Sequence, residues 1–253
     1  MKISKALGLE EKGVISLVGG GGKTSLMFRL AEEISLQYKV VVTTTTKIFL
    51  PPPDKFPFVL LEKDEPPAKE LYESLLKGLR PAVGSSLLEN NKINGISREQ
   101  VDLLQNHADF ILIESDGSKG RSLKGHLDSE PVIAGSTTVL LVVIGADIFG
   151  KTLDSNYVHR PEIVSRLTGR KMGSIIDAEM IAELITHPEG ILRDSPSTAK
   201  VVPFINKADR LESQGEGRRL GRLLLGEKIR KVILGSAIGI NPVITVVESG
   251  KDH

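Results

Sequence analysis

Short runs of apolar residues recur along the chain and alternate with longer amphipathic segments. Most of these runs are apolar throughout instead of alternating with polar residues, which is typical of strands covered on both faces of a parallel sheet. We therefore predict seven strands, at residues 14–18, 40–42, 58–61, 110–113, 139–144, 201–205 and 232–234.

Four segments between these runs have helical features. Residues 24–37 carry Leu26, Leu30 and Ile34 at four-residue spacing. Residues 97–104 open with a Ser-x-x-Gln capping box, residues 177–186 begin with an N-cap aspartate, and residues 215–225 are rich in Arg and Leu. The alternation of strands and helices predicts a three-layer α/β fold with a mostly parallel sheet flanked by helices.

Composition narrows the class of protein. The chain has 253 residues, of which 40% are hydrophobic, so we expect a single domain over 1–253 with a mainly helical insert at about 151–197. The net charge of +1 does not favour nucleic acid as a partner. The lack of cysteine excludes disulfides and thiolate chemistry and fits a reducing compartment. With no signal-like leader and no membrane-length apolar run, we expect a cytoplasmic protein that does not bind a membrane.

The strongest functional signal follows the first strand. Four glycines lead into Lys23, Thr24 and Ser25 and then into a helix. Glycines let the main chain approach phosphates closely, and the helix N-terminus favours anions. We therefore predict a nucleotide-binding P-loop made of Gly19, Gly20, Gly21, Gly22, Lys23, Thr24 and Ser25.

This loop departs from the usual pattern in one place, because Leu17 stands where the first glycine of G-x-x-x-x-G-K-[ST] is expected. In the prediction, Lys23 reaches the β- and γ-phosphates and acts catalytically, while the Thr24 hydroxyl binds Mg²⁺. The alternative is a glycine-rich turn that binds nothing.

Two carboxylates follow the strand at 110–113. Glu114 and Asp116 are expected on the ligand side of the sheet, where either one can hold Mg²⁺ directly or through water. Asp116 is also the best candidate for the group that activates water. The alternative is a solvent-exposed acidic turn.

A base-recognition motif follows the strand at 201–205. Asn206, Lys207 and Asp209 have the form N-K-x-D, in which the aspartate accepts two hydrogens from guanine. Ser236 and Ala237, after the next strand, can offer a main-chain N–H to the guanine oxygen. The sequence thus favours GTP over ATP.

Other polar residues support weaker hypotheses. Residues 43–47 are either a switch segment or a polar strand end. Lys119, Arg121 and Lys124 either contact phosphate or a second anionic substrate, or form a solvated basic turn. Arg160 is a candidate catalytic arginine. The spacing of the histidines does not support a transition-metal site.

Together these motifs resemble the YqeC family, the accessory proteins linked to selenium-dependent molybdenum hydroxylases. The resemblance spans nearly the full chain, although this family commonly has Ala where Ser115 stands. The motif order is also similar to the metallochaperone GTPases of urease and hydrogenase maturation. The segments that carry the resemblance are 19–24, 42–47, 114–117, 122–124, 130–133, 158–161 and 206–209.

The resemblance implies a part in maturing a target enzyme, with a molybdenum hydroxylase or its maturation machinery as partner, and dimerisation around nucleotide. Our first hypothesis is therefore a Mg²⁺-dependent GTPase switch serving such maturation. The alternatives are an ATP- or GTP-dependent small-molecule kinase, for which residues 151–197 serve as a lid, and a nucleotide sensor without hydrolysis.

Overall fold

The structure is a computed structural model that describes residues 1–61, 69–211 and 214–250. Two adjacent prolines, Pro66 and Pro67, predict a break on the surface, and they lie outside the described residues. The strands of the described residues are β1 (Gly13–Gly19), β2 (Val40–Thr44), β3 (Lys47–Phe49), β4 (Phe58–Leu60), β5 (Ala82–Gly84), β6 (Ser86–Leu88), β7 (Lys92–Asn94), β8 (Phe110–Glu114), β9 (Leu123–Lys124), β10 (Val139–Gly145), β11 (Val158–His159), β12 (Lys200–Asn206), β13 (Lys231–Gly235) and β14 (Val243–Glu248). The helices of the same residues are α1 (Ile3–Leu7), α2 (Lys23–Ile34), α3 (Lys69–Leu76), α4 (Arg98–Leu104), α5 (Pro161–Thr168), α6 (Ala178–Thr186) and α7 (Gly215–Leu224).

The main sheet has nine strands in the order β14-β13-β12-β10-β1-β8-β2-β5-β4. All neighbours are parallel except β13 and β14. The seven predicted strands all lie in this sheet, so the predicted α/β class is confirmed. The prediction missed β5, which has three residues, and the half-exposed edge strand β14.

Helices cover both faces of the sheet and make three layers. On β1, Ile15 and Leu17 pack into one core with α1 and α2. The alternate residues Val14 and Val18 face the opposite side, where they join cores built with α3 to α7. Strands covered on both faces need apolar side chains at every position, which explains the continuous apolar runs.

The predicted helices are present, with local signals at their ends. Ser97 caps α4 in a complete capping box with Gln100, and Asp177 caps α6 through the N–H of Met180 at 2.8 Å. The segment 151–197 holds β11, α5 and α6, and buried residues of both helices share a core with β10 and β12. The sequence reading missed the short helices α1 and α3.

This topology brings the motifs to one edge. Strands β1, β8, β10, β12 and β13 run parallel, so their C-terminal ends meet at the same edge of the sheet, where open α/β sheets bind ligands. The described residues include no helix that is both long and apolar enough to cross a membrane.

Candidate functional site

The glycine loop (residues 19–22) links β1 to α2 in a conformation that suits glycine. Gly19, Gly21 and Gly22 have φ angles of 99°, 86° and 109°, where side chains are strained. Space is also tight, because a Cβ on Gly21 would stand 2.2 Å from the nitrogen of Gly145. The loop therefore needs glycine for its own packing, apart from any ligand.

We expect Gly21→Ala to destabilise the fold by roughly 2–4 kcal/mol, since it adds a main-chain clash to an unfavourable φ. The matched control is Gly117→Ala, because a Cβ on Gly117 meets no atom within 4 Å. Urea unfolding of both variants measures the difference. Equal stabilities would show that the loop is not built as described.

The main-chain N–H groups of the first three loop glycines donate to acceptors within the protein. Gly19 donates to Asp116 Oδ2 at 3.0 Å, Gly20 donates to the Val143 oxygen at 2.9 Å, and Gly21 donates to the Arg121 oxygen at 2.9 Å. The first main-chain N–H groups of any helix have no hydrogen-bond acceptor within that helix. In this protein they are the N–H groups of the residues that begin α2, from Lys23 onwards. The part of the loop suited to an anion is therefore its end, where Gly22, Lys23, Thr24 and the exposed Ser25 begin the helix.

Lys23 is held tightly at this helix start. Its Nζ donates to the Gly19 oxygen at 2.6 Å and lies 3.1 Å from Asp116 Oδ1 and 3.8 Å from Glu114 Oε1. The side chain is only 2% exposed. Any anion that binds at the start of α2 therefore competes with Asp116 for this ammonium.

A second polar contact between α2 and β8 joins Thr24 to Glu114. The Thr24 hydroxyl donates to Glu114 Oε2 at 2.6 Å. Burial raises the pKa of Glu114, against the opposing effects of Lys23 and of this hydrogen bond. The sequence left the metal role open between Glu114 and Asp116, and Glu114 is the one that touches the Thr24 hydroxyl.

Asp116 is the centre of a buried charge network that the sequence reading did not foresee. Besides Gly19 and Lys23, it contacts His126 Nε2 at 2.6 Å and Lys124 Nζ at 3.3 Å. Burial opposes ionisation, but Lys23, His126 and Lys124 together hold the pKa of Asp116 well below its usual range. Burial lowers the pKa of His126, against the opposing effect of Asp116. Because an ionised carboxylate only accepts hydrogen bonds, the Nε2–H of His126 is the donor in this contact.

The network continues away from the loop. Lys124 Nζ lies 2.8 Å from Glu130 Oε2, which also accepts from Arg160 Nη1 at 2.6 Å. Arg160, which the sequence suggested as a candidate catalytic arginine, forms an ion pair with Glu130. The pairing of β9 and β11 places Lys124 beside His159, the residue before Arg160, and the sequence carries no signal for this pairing.

Asn206 joins the base motif to the glycine loop. Its Nδ2 donates to the Gly21 oxygen at 2.7 Å, and its Oδ1 accepts from the Ala237 N–H at 2.9 Å. The buried Ser236 donates its own N–H to the Pro242 oxygen at 3.0 Å. The amides of Ser236 and Ala237 are thus used within the protein, and Asn206 bridges the glycine loop and the residues that follow β13.

Lys207 and Asp209 complete the motif. Lys207 Nζ binds Asp147 Oδ2 at 2.8 Å and Ser122 Oγ at 3.0 Å, and Ser122 Oγ donates to Asp147 Oδ1 at 2.6 Å. Asp209 is exposed. The sequence did not predict Asp147 and Ser122 as site residues, because nothing in their local sequence marks them as partners of Lys207.

The threonines after β2 are occupied by structural hydrogen bonds. The hydroxyls of Thr43, Thr44 and Thr45 donate to main-chain oxygens of Val83, Glu114 and Val132 respectively. This pattern matches the polar strand end more than the switch. Among the described residues, no group of three or more His, Asp or Glu side chains is arranged to hold a metal ion.

The fold and the site together define the class of this protein. It is an α/β protein with a mostly parallel sheet, and a glycine loop followed by Lys23 links β1, a strand inside this sheet, to helix α2. A family model described as YqeC protein matches residues 15–162, which include the glycine loop and the acidic strand end. The chain is also 33% identical over 203 residues to "Uncharacterized protein YqeC" of Escherichia coli (strain K12), covering 79% of this chain and 78% of that protein. The chain belongs to the YqeC family.

Proposed function

We propose that this protein is a Mg²⁺-dependent nucleotide-binding protein of the P-loop class that acts as a GTPase switch. The observation that carries the proposal is the contact set at the start of α2. Lys23 lies between the glycine loop and two carboxylates, and the Thr24 hydroxyl meets Glu114 at 2.6 Å. Asn206 ties the base motif to the same loop, which supports a single ligand spanning both.

The residues present fit Mg²⁺. A threonine hydroxyl and one carboxylate are hard oxygen donors, and Mg²⁺ is commonly held by one or two carboxylates together with substrate phosphates. Thr24 and Glu114 would hold the ion, which supplies positive charge to the phosphates when bound. The contact between their oxygens supports this pair over Asp116, whose side chain is fully buried.

The chain's own groups have distinct tasks in this proposal. Lys23 and the N–H groups at the start of α2 bind phosphate oxygens and stabilise their charge as water attacks the γ-phosphorus and the bond to the bridging oxygen breaks. We assign Asp116 to positioning instead of water activation, because both its oxygens already have partners. Asn206 positions the base loop, and Asp209 selects guanine.

The biological setting rests on the family resemblance alone. We propose that the switch serves the maturation of a selenium-dependent molybdenum hydroxylase, with that enzyme or its maturation machinery as partner. Phosphate release from GTP, measured with and without a candidate hydroxylase, tests this step. A rate that the hydroxylase leaves unchanged counts against it.

A thermal-shift panel of GDP, GTP, ADP and ATP, each with and without Mg²⁺, tests nucleotide binding directly. A ligand that binds only the folded state raises the melting temperature. We expect the largest rise with GTP and Mg²⁺. No rise with any of the four would rule out the proposal, and phosphate transfer only to an added acceptor would favour a kinase.

Thr24→Ala is expected to remove most of the Mg²⁺-dependent part of the GTP shift, because the hydroxyl that touches Glu114 is lost. We expect GTP affinity in Mg²⁺ to fall by about tenfold or more, the size of one hydrogen bond to a charged group. The control is Thr24→Ser, which keeps the hydroxyl and should keep the response. If the Thr24→Ala protein responds to Mg²⁺ like the wild type, the Thr24 hydroxyl is not a ligand of Mg²⁺.

A further inference from the structure

The turn at residues 118–122 is fixed against the glycine loop. The Arg121 oxygen accepts the N–H of Gly21 at 2.9 Å, and the Ser122 oxygen accepts the N–H of Gly145 at 3.0 Å. The contact is close enough that a Cβ on Gly20 would stand 2.6 Å from the Arg121 oxygen. The main chain of Arg121 therefore cannot move without the loop.

The same turn is also connected to the base motif. The Ser122 hydroxyl lies between Asp147 and Lys207, at 2.6 Å and 3.0 Å. Within the turn, Arg121 N–H donates to the Ser118 oxygen at 3.0 Å, and Lys119 has a φ of 49°. These bonds hold the position of Arg121 in advance of any ligand.

The side chains of Arg121 and of Lys119 in the same turn are both exposed. In the described part of the chain, only Arg121 of these two makes a main-chain hydrogen bond to the glycine loop. Lys23 and Lys124 are buried against Asp116, and Arg160 is paired with Glu130. In the described residues, the guanidinium of Arg121 makes no ion pair or hydrogen bond. The pKa of Asp154 is lowered mainly by its hydrogen bond from Thr152 and only slightly by the charge of Arg121. Asp154 accepts hydrogen bonds from the Thr152 hydroxyl and from the Asn156 N–H.

We propose that Arg121 contacts the terminal phosphate of the bound nucleotide from within the same chain. This inference rests on the proposed function and names an additional residue for it. When the γ-phosphoryl group passes to water, charge builds on the bridging oxygen and on the γ-oxygens, and a guanidinium that reaches the γ-phosphate would balance this charge. The main chain of Arg121 is fixed by hydrogen bonds and its guanidinium is exposed. Such an arginine is suited to this contact, because the main chain does not have to rearrange when the guanidinium binds the phosphate.

The test compares Arg121→Ala, Arg121→Lys and the control Arg98→Ala, an exposed arginine on α4. We measure the affinities for GDP and for a non-hydrolysable GTP analogue in Mg²⁺, and phosphate release from GTP. For Arg121→Ala we expect about tenfold weaker binding of the analogue with GDP nearly unchanged, and about a hundredfold slower release. Arg121→Lys should lie between this variant and the wild type.

The outcomes separate this inference from the proposed function. If the wild type binds no nucleotide, the proposed function fails first. If the wild type binds and Arg121→Ala matches Arg98→Ala for both nucleotides and for release, the assignment of Arg121 is wrong and the proposed function stands. We expect the unliganded variants to keep the wild-type melting temperature, because the contacts of Arg121 with the loop are made by main-chain atoms. Unchanged melting temperatures show that a loss of binding is not due to unfolding.

Discussion

Replacing Lys23 by alanine is expected to abolish the melting-temperature rise with GTP and Mg²⁺ and to destabilise the unliganded protein as well. The side chain is 2% exposed and lies 3.1 Å from Asp116. Its removal leaves buried carboxylates with less positive charge, and breaking a buried ion pair costs roughly 3 kcal/mol. Urea unfolding measures the stability, and calorimetric titration with GTP measures binding.

A second variant separates these two effects. In Lys23→Ala with Asp116→Asn, one negative charge leaves together with the positive one, so part of the lost stability should return. Nucleotide binding should not return, because the phosphate still lacks the ammonium. If the double variant binds GTP like the wild type, Lys23 is not a phosphate ligand.

Asp209→Asn is expected to weaken GTP binding by an order of magnitude or more and to leave ATP binding nearly unchanged. A carboxylate accepts two N–H bonds from guanine, and an amide replaces one of its acceptor oxygens with a donor. Asp209 is exposed, so the fold should be unaffected. Paired titrations with GTP and ATP give the selectivity as a ratio.

The control for this experiment is Asp102→Asn, an exposed aspartate on α4. It should keep the wild-type ratio of GTP to ATP affinity. Equal affinities of the wild type for GTP and ATP would refute guanine selection by this motif, whatever the variant does.

Seven of the nine strands of the main sheet were predictable, because each carries a continuous apolar run of its own. Strand β10, for example, is buried at every position, and its sequence is apolar from Val139 to Ile144. Strand β5 has only three residues and β14 lies half-exposed at an edge, so neither has the continuous run that marks a strand covered on both faces.

The positions of the candidate site residues were predictable where one local motif supplies both the residue and its place in the fold. The glycines, Lys23 and Thr24 lie between a strand and a helix, and Asn206 follows a strand. The sequence could not predict which acceptors take the loop N–H groups, since Val143 and Arg121 are distant in sequence. The same holds for the partners of Asp116 and Lys207, which depend on how separate segments pack at the sheet edge.

A crystal structure with a non-hydrolysable GTP analogue and Mg²⁺ tests the central claim most directly. We predict phosphate oxygens against the N–H groups of Lys23 and Thr24, with the Lys23 ammonium drawn from Asp116 towards them. An analogue bound elsewhere, with the start of α2 free of phosphate and Lys23 still on Asp116, would contradict the account.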